Sequence, residues 1–405
     1  MLLLGQALLL IAFHVNRKRI VADYPRSMDM LRRLVSMDTT SRNSNLDLID
    51  FVRDHLDRFG IASELMPDAT GKKANLYATI GSNDRPGICL SGHTDVVPID
   101  GQDWSTDPWI ITERDGLLHG RGTCDMKGFV AVALTWVEAF ARGDLKTPVH
   151  LLLSYDEEVG CLGVRSALAK LKNAPIKPKG VIIGEPTEMR VTTAHKGKKS
   201  VRCHVHGHEC HSSLTPKGVN AIEYAAEVIT HLRSMGRRLA AEGPFDHAYD
   251  VPWTTVHTGI VQGGTALNIV PKDCRFDFEF RYLPGVDPEA LYGDVRAFAE
   301  KLTPEMKAIT PDAGFSWSDI SAFPGLDTPE TAEIVVLAKA LAQANDTVKV
   351  AFGTEAGLIQ EAGMPAIVCG PGSIEQAHKP NEFVAISQLA QCEAFMDRLL
   401  ARLKA

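Results

Sequence analysis

The sequence predicts an α/β fold interrupted by an inserted α+β unit of ferredoxin-like type. Three observations carry this. Helix-period segments alternate with short apolar runs between Ser27 and Pro186. From Ser200 to Ile320 the order becomes strand-helix-strand-strand-helix-strand, the split βαβ arrangement. After residue 328 the alternation returns, so residues 27–188 and 323–405 read as one domain and 189–322 as the insertion, with 1–26 as an extension outside the fold.

Ser27–Val35 and Leu46–Phe59 carry helical periodicity. In the second, apolar residues fall at 48, 49, 52, 56 and 59, with Ser44 or Asn45 as cap and Gly60 as stop. Strand-like runs follow at Asn75–Ile80 and Gly87–Ser91. Met126–Ala141 reads as one apolar helix ending at Arg142-Gly143. Val149–Tyr155 is a continuous apolar strand, the pattern of a sheet covered on both faces. A helix near Gly163–Leu171 and a strand at Val181–Gly184 complete this half. In the insertion, strands are expected at Ser200–His206, Thr254–Val261, Asp273–Tyr282 and Ala313–Ile320. Its helices are expected at Ala221–Leu239 and from the Asp287-Pro288 cap to about Leu302. Helices at 328–344, 355–361 and from Ser387, with strands at 348–352 and 366–369, close the chain.

The chain has 405 residues, 45% hydrophobic and 23% charged, the balance of a globular protein with more than one domain. A net charge of −7 argues against nucleic acid as a partner, because phosphate binding needs a basic face. The eight cysteines are scattered without a C-x-x-C pair, which fits free thiols in a reducing cytoplasm. Met1–Phe13 is apolar and is followed by Arg17, Lys18 and Arg19. The run is too short for an ordinary membrane span, and its charge follows the apolar stretch, the reverse of a secretory signal, so no membrane role is expected.

Chemistry-bearing residues cluster in five short patches, most of them just after an apolar run: Ser91-Gly-His93-Thr-Asp95, Gly120-Arg-Gly-Thr-Cys-Asp125, Asp156-Glu157-Glu158, Gly184-Glu185-Pro186 and Gln376-Ala-His378. Strand ends in α/β sheets share one edge, so residues distant in sequence can meet there. Imidazole with carboxylate is a ligand set for zinc or a similar divalent ion, and the donors exceed what one tetrahedral ion needs. Two metals sharing a bridging carboxylate fit better. Asp95, two residues from His93, is read as the carboxylate that orients that imidazole. Asp125 either bridges metals or caps the following helix. In the Glu157-Glu158 pair, mutual repulsion is relieved by a nearby dication, leaving one as ligand and one as general base. His204, His206 and His208 fall on one strand face by period two, but their spacing fits no standard zinc knuckle. His211, at a turn, is the better candidate to donate a hydrogen bond to a developing oxyanion.

Together with Gly207-His-Glu-Cys-His211-Ser-Ser and Gln-Ala-His378-Lys-Pro, these patches resemble one family from about Ser27 to the C-terminus. It is the dinuclear zinc hydrolases that include acetylornithine deacetylase, succinyl-diaminopimelate desuccinylase, aminoacylase and carboxypeptidase G. The resemblance implies a zinc-peptidase-like α/β catalytic domain, with the insertion as lid and dimerisation domain. It implies that His93, Asp125 and Glu185 hold one Zn2+ and that Asp125, Glu158 and His378 hold the other, with Co2+ or Mn2+ able to substitute. Glu157 would be the base, Asp95 the orienting group, and His211 would act in the partner subunit of a homodimer. A cis peptide after Asp125 is implied as well.

Arg281-Tyr-Leu-Pro-Gly285, Gly353-Thr354-Glu355-Ala356 and Gly370–His378 are most similar to the acetylornithine deacetylase branch. Arg281 and Asn268 match substrate-binding positions, and a guanidinium suits a carboxylate. Gly353, Thr354 and Glu355 are candidate substrate contacts, Glu355 toward a substrate ammonium. The expected substrate is a small N-acyl-L-amino acid, N2-acetyl-L-ornithine first, which places the enzyme in arginine biosynthesis. Other N-acyl amino acids, succinyl-diaminopimelate or a dipeptide are the alternatives. A non-catalytic metal-stabilised binding protein fits poorly with the base Glu157, and a phosphoesterase would need more basic residues at the site.

Overall fold

A computed structural model of the protein describes residues 24–405. The apolar segment at residues 1–13 and the basic residues after it lie outside that range. The chain first forms α1 (Met28–Val35), α2 (Leu46–Asp57), β1 (Ser63–Pro67), β2 (Ala74–Ile80), β3 (Ile88–His93), β4 (Thr112–Arg114) and β5 (Leu117–His119). Then come α3 (Lys127–Thr135), α4 (Val137–Ala141), β6 (Val149–Ser154), α5 (Val164–Lys172), β7 (Gly180–Pro186) and β8 (Thr192–His195). A second group follows: β9 (Gly197–His206), α6 (Ala221–Glu242), β10 (Thr255–Gly263), β11 (Asp273–Tyr282), α7 (Pro288–Ile309) and β12 (Gly314–Phe323). The chain closes with β13 (Leu326–Asp327), α8 (Glu333–Ala342), β14 (Val348–Val350), α9 (Ala356–Glu361), β15 (Ala366–Gly370), β16 (Phe383–Ala385) and α10 (Ile386–Lys404).

The large sheet has the order β1-β2-β6-β3-β7-β15-β8-β13, with β14 added beside β8. Its central strands β6, β3, β7 and β15 are parallel. Their continuous apolar runs are explained by burial on both faces. Leu151 and Leu153 of β6 join the core built with α1, α2, α3, α8 and α10, while Leu152 between them joins the core built with α5 and α9. Because the four strands run the same way, their carboxyl ends share one edge, and the site grows from that edge. A separate three-stranded sheet, β16-β5-β4, flanks it.

The second sheet has the order β10-β11-β9-β12, antiparallel throughout, which is the ferredoxin-like order. Alternation sorts its residues: Val201, Cys203 and Val205 of β9 and Cys274, Phe276, Phe278 and Phe280 of β11 pack beneath α6 and α7. The opposite face is polar. β8 lies in the large sheet, so the smaller sheet begins only at Gly197. β9 and β11 are each ten residues long. One end of the pair, Gly197 with Tyr282, adjoins the large sheet, and the other, His206 with Asp273, lies roughly 30 Å away at about 3.3 Å per residue.

Three helices differ from expectation, α8 by starting only at Glu333, beyond Pro329. The segment 126–141 is divided at Trp136, whose indole Nε1 donates to Asp397 Oδ1 at 3.0 Å. Just before it, Thr135 Oγ1 donates to the Ala131 carbonyl at 2.7 Å, a back-bond that bends helices. The helix expected to stop near Leu302 instead runs through Pro304 to Ile309. Burial of Met306 beneath the smaller sheet outweighs the missing amide donor. Among the described residues no helix is long and apolar enough to cross a membrane.

Candidate metal centre

Each expected metal-site residue arrives from a different part of the large sheet's carboxyl edge. His93 ends β3, Glu157 and Glu158 follow β6, Glu185 lies at the end of β7, and His378 sits in the loop after β15. Asp125 precedes α3, and its peptide bond to Met126 is cis. Gly184 permits this assembly, since a Cβ there would lie 1.8 Å from the Phe129 ring, so only glycine lets β7 run this close to α3.

The centre is built around Asp125. Its Oδ1 lies 3.0 Å from His93 Nε2 and its Oδ2 lies 3.3 Å from His378 Nε2. Glu185 Oε1 stands 3.6 Å from His93 Nε2, and Glu158 Oε2 stands 2.9 Å from His378 Nε2. One carboxylate with a different imidazole at each oxygen is the geometry of a bridge between two cation positions. His93 is oriented by its own turn: Nδ1 lies 2.9 Å from the Asp95 main-chain carbonyl and 3.7 Å from Asp95 Oδ1. Nδ1–H donating to that carbonyl leaves Nε2 facing the carboxylates, where it can ligate a cation once its proton is released. The Asp95 side chain chiefly holds the acidic turn. It accepts from the Glu157 and Glu158 amides and, at 2.7 Å, from Ser41 Oγ.

The donor set fits a cation. Carboxylates outnumber imidazoles; His93, Asp125 and Glu185 are buried, Glu157 and Glu158 half-buried and His378 exposed, and Glu158 Oε1 has no hydrogen-bond partner. His93–Glu157–Glu185 and His93–Asp125–Glu158 each bring three ligand atoms within 4.8 Å of one another. Without a cation, burial pushes the Glu157 carboxyl up to about 8, with Glu158 adding to the effect and His93 opposing it. Burial and then Asp125 push Glu158 up to about 7. Burial also raises Asp125, but His378 and His93 outweigh it and hold that carboxyl low. The hydrogen bonds to Asp125 and Glu158 push His378 up to about 10. Protons thus stand where a dication would, and metal binding has to release them.

A folded pKa above the unfolded value means that the native chain binds more protons, so stability falls as pH rises through that interval. Chelator-treated protein is expected to lose melting temperature from about pH 5 to about pH 8, the interval set by Glu157 and Glu158. Metal affinity is expected to tighten over the same range. Melting scans and metal titrations at several pH values check both, and a pH-independent affinity would contradict the proton competition.

The remaining candidates divide. Glu355 is buried beside this cluster, with Oε1 unpartnered, and burial pushes its carboxyl up to about 7. Thr354 is buried and its Oγ1 accepts from the Ala356 amide at 3.0 Å, while Gly353 lies against the Phe323 ring. Arg281 sits at the inner end of β11, where its Nε donates to Glu279 Oε1 at 3.0 Å. His211 and Asn268 do not join the centre. They lie in neighbouring exposed loops at the outer end of the smaller sheet, where the Ser212 amide donates to the Asn268 carbonyl at 3.0 Å.

Sequence reasoning missed Glu382. This buried carboxylate pairs with the buried Arg121 at 2.7 Å and accepts from the Gly122, Cys124 and Asp125 amides. It ties the loop that carries His378 to the turn that presents Asp125. Its signal was weak, a lone acid four residues after a candidate histidine. Arg121→Ala is expected to cost about 3–5 kcal/mol, because it strands a buried carboxylate. Denaturant melts check this, and a loss below about 1 kcal/mol would show the pair to be dispensable.

Comparison with known proteins agrees with this geometry. Residues 89–402 match the model of peptidase family M20/M25/M40. An acetylornithine deacetylase of Myxococcus xanthus is 37% identical over 378 residues, covering 92% of this chain and 96% of that protein. Among solved structures, an M20-family metallo-carboxypeptidase from Sulfolobus solfataricus superposes with a TM-score of 0.74 at 18% identity, covering 93% of this chain and 99% of that one. A dinuclear metal-binding M20 peptidase from Bacillus subtilis has a TM-score of 0.61 at 17% identity, covering 93% and 98%. The folds and the motifs agree, and this chain is a metal-dependent amidohydrolase belonging to peptidase family M20/M25/M40.

Proposed function

We propose that the protein hydrolyses the amide bond of an N-acyl-L-amino acid, with N2-acetyl-L-ornithine as substrate and L-ornithine and acetate as products. The observation that carries the reaction is Asp125 flanked by two imidazoles, with Glu157 close by. The substrate reading is supported by the relatives named acetylornithine deacetylase at 36–37% identity. It is supported also by Glu355, a buried acid with an unpartnered oxygen beside the centre, which suits a substrate ammonium.

His93, Asp125 and Glu185 would hold one zinc and Asp125, Glu158 and His378 the other, with Co2+ or Mn2+ as substitutes. When bound, such a pair supplies a Lewis acid for the amide carbonyl and makes water more acidic. Glu157 takes the proton of the attacking water and delivers it to the leaving amine nitrogen, so the proton balance closes on one side chain. Arg281 is assigned to the substrate carboxylate, for which it would exchange its bond to Glu279. His211 and Asn268 are assigned to the site of a partner subunit in a cytosolic homodimer formed through the smaller sheet's layer. Exposed Leu214, Ile260, Val261, Leu267 and Ile269 at and near that outer end support the contact.

The test is kcat/KM for acetylornithine, acetylmethionine, succinyl-diaminopimelate and a few dipeptides. Acetylornithine is expected to be the best of them. If it is much the poorest, the substrate assignment fails while the amidohydrolase chemistry stands.

A further inference from the structure

We infer that His204, His206 and Asp273 form a separate mononuclear site for a late first-row divalent cation on the open face of the smaller sheet. The three offer ligand atoms that all lie within 4.8 Å of one another. Period two puts both imidazoles on the same face of β9, and Asp273 is the β11 residue directly opposite His206. The two rings lie 3.9 Å apart between centroids. Asp273 Oδ1 stands 3.0 Å from His204 Nε2 and 3.8 Å from His206 Nδ1, so one carboxylate oxygen faces one nitrogen of each ring.

Two further observations separate this from an ordinary surface ion pair. The first concerns the tautomer. His206 Nε2 lies 3.2 Å from Ser316 Oγ on β12, and Nε2–H donating to that hydroxyl leaves the Nδ1 lone pair turned toward Asp273. A ligating imidazole needs that arrangement, with its other nitrogen fixed by a neighbour. The second concerns competing cations. Arg202 is engaged by Asp277 at 2.7 Å, Arg275 by Gln262 at 2.8 Å, and Lys272 by Glu209 at 3.4 Å. The nearby basic side chains thus have other partners, and Asp273 faces the two imidazoles. Two imidazoles and one carboxylate, with the remaining positions open to water, suit Zn2+, Ni2+, Cu2+ or Co2+ rather than Mg2+ or Ca2+.

A cation there would fasten the outer ends of β9 and β11, where the loops bearing His211 and Asn268 leave the sheet. That consequence rests on the role proposed for those loops; the binding itself does not.

The experiment counts zinc per chain in the full-length protein after chelation and dialysis against buffered Zn2+. The chains compared are wild type, the double variant His204→Ala/His206→Ala, the near-isosteric Asp273→Asn, and His93→Ala. The double variant is expected to bind one zinc fewer than wild type while hydrolysis persists. Asp273→Asn is expected to weaken that one zinc at least tenfold. His93→Ala is expected to lose zinc from the hydrolytic centre and keep this one. Equal zinc counts and affinities in wild type and Asp273→Asn would overturn the site, whether or not the double variant folds. Failure of every chain to hydrolyse acetylornithine would count against the proposed function and leave the zinc count intact.

Discussion

Glu157→Gln is expected to lower kcat by about 100-fold to 10,000-fold while the protein keeps its full metal content, since general acid–base catalysis contributes about that much. The glutamine amide fills the same space but cannot accept a proton from water and return it to the amine. The closest imidazole–carboxylate distances in the centre, between Asp125 and both histidines and between Glu158 and His378, do not involve Glu157. Its carboxyl does lie within reach of His93 and Glu185, so it could instead serve as a ligand. Metal analysis beside kinetics separates the two roles. Loss of activity with metal retained identifies a base, and loss of both together would make Glu157 a ligand. Unchanged activity would remove it from the reaction.

Much of the centre could be read from sequence because its parts are local. A histidine or an acid just past an apolar strand is visible in a short window, and parallel strands then bring such residues to one edge without further information. What stayed hidden depends on contacts made across the chain. Glu382 matters through three main-chain amides and through Arg121, 261 residues away in sequence, and no periodicity encodes that. Asp95 was legible as a partner of His93, but its main work, holding the Glu157 and Glu158 amides, depends on how β3 and β6 lie side by side.

The same contrast holds for the fold. β6 could be read because six buried residues in a row leave no other option. β4, β5 and β16 are three residues each and too short for a period to show. Asp115-Gly116 between β4 and β5 was a usable hairpin signal: both residues have positive φ, 55° and 77°. α7 passes Pro304 because the packing of Met306 overrides the local preference that the sequence displays.

Under the role proposed for His211 in a homodimer, mixing two inactive chains is expected to restore activity. His211 and Asn268 stand at the outer end of a ten-residue ladder whose inner end adjoins the large sheet, roughly 30 Å away at about 3.3 Å per residue. That separation supports the proposal that His211 serves the centre of another chain. Chain one carries His211→Ala and an intact Glu157; chain two carries Glu157→Gln and an intact His211. Each homodimer lacks one essential group at every centre. In the hybrid, the centre on chain one has its own Glu157 and receives His211 from chain two, while the other centre lacks both. Random reassortment makes about half the dimers hybrid, each with one complete centre of two, so about a quarter of wild-type activity should return. Action of His211 within its own chain would give no recovery, because no chain then carries both groups. Recovery that rises with subunit exchange and vanishes when exchange is blocked would tie the oxyanion donor to the partner subunit, and would make the dimer a requirement of the chemistry rather than of stability.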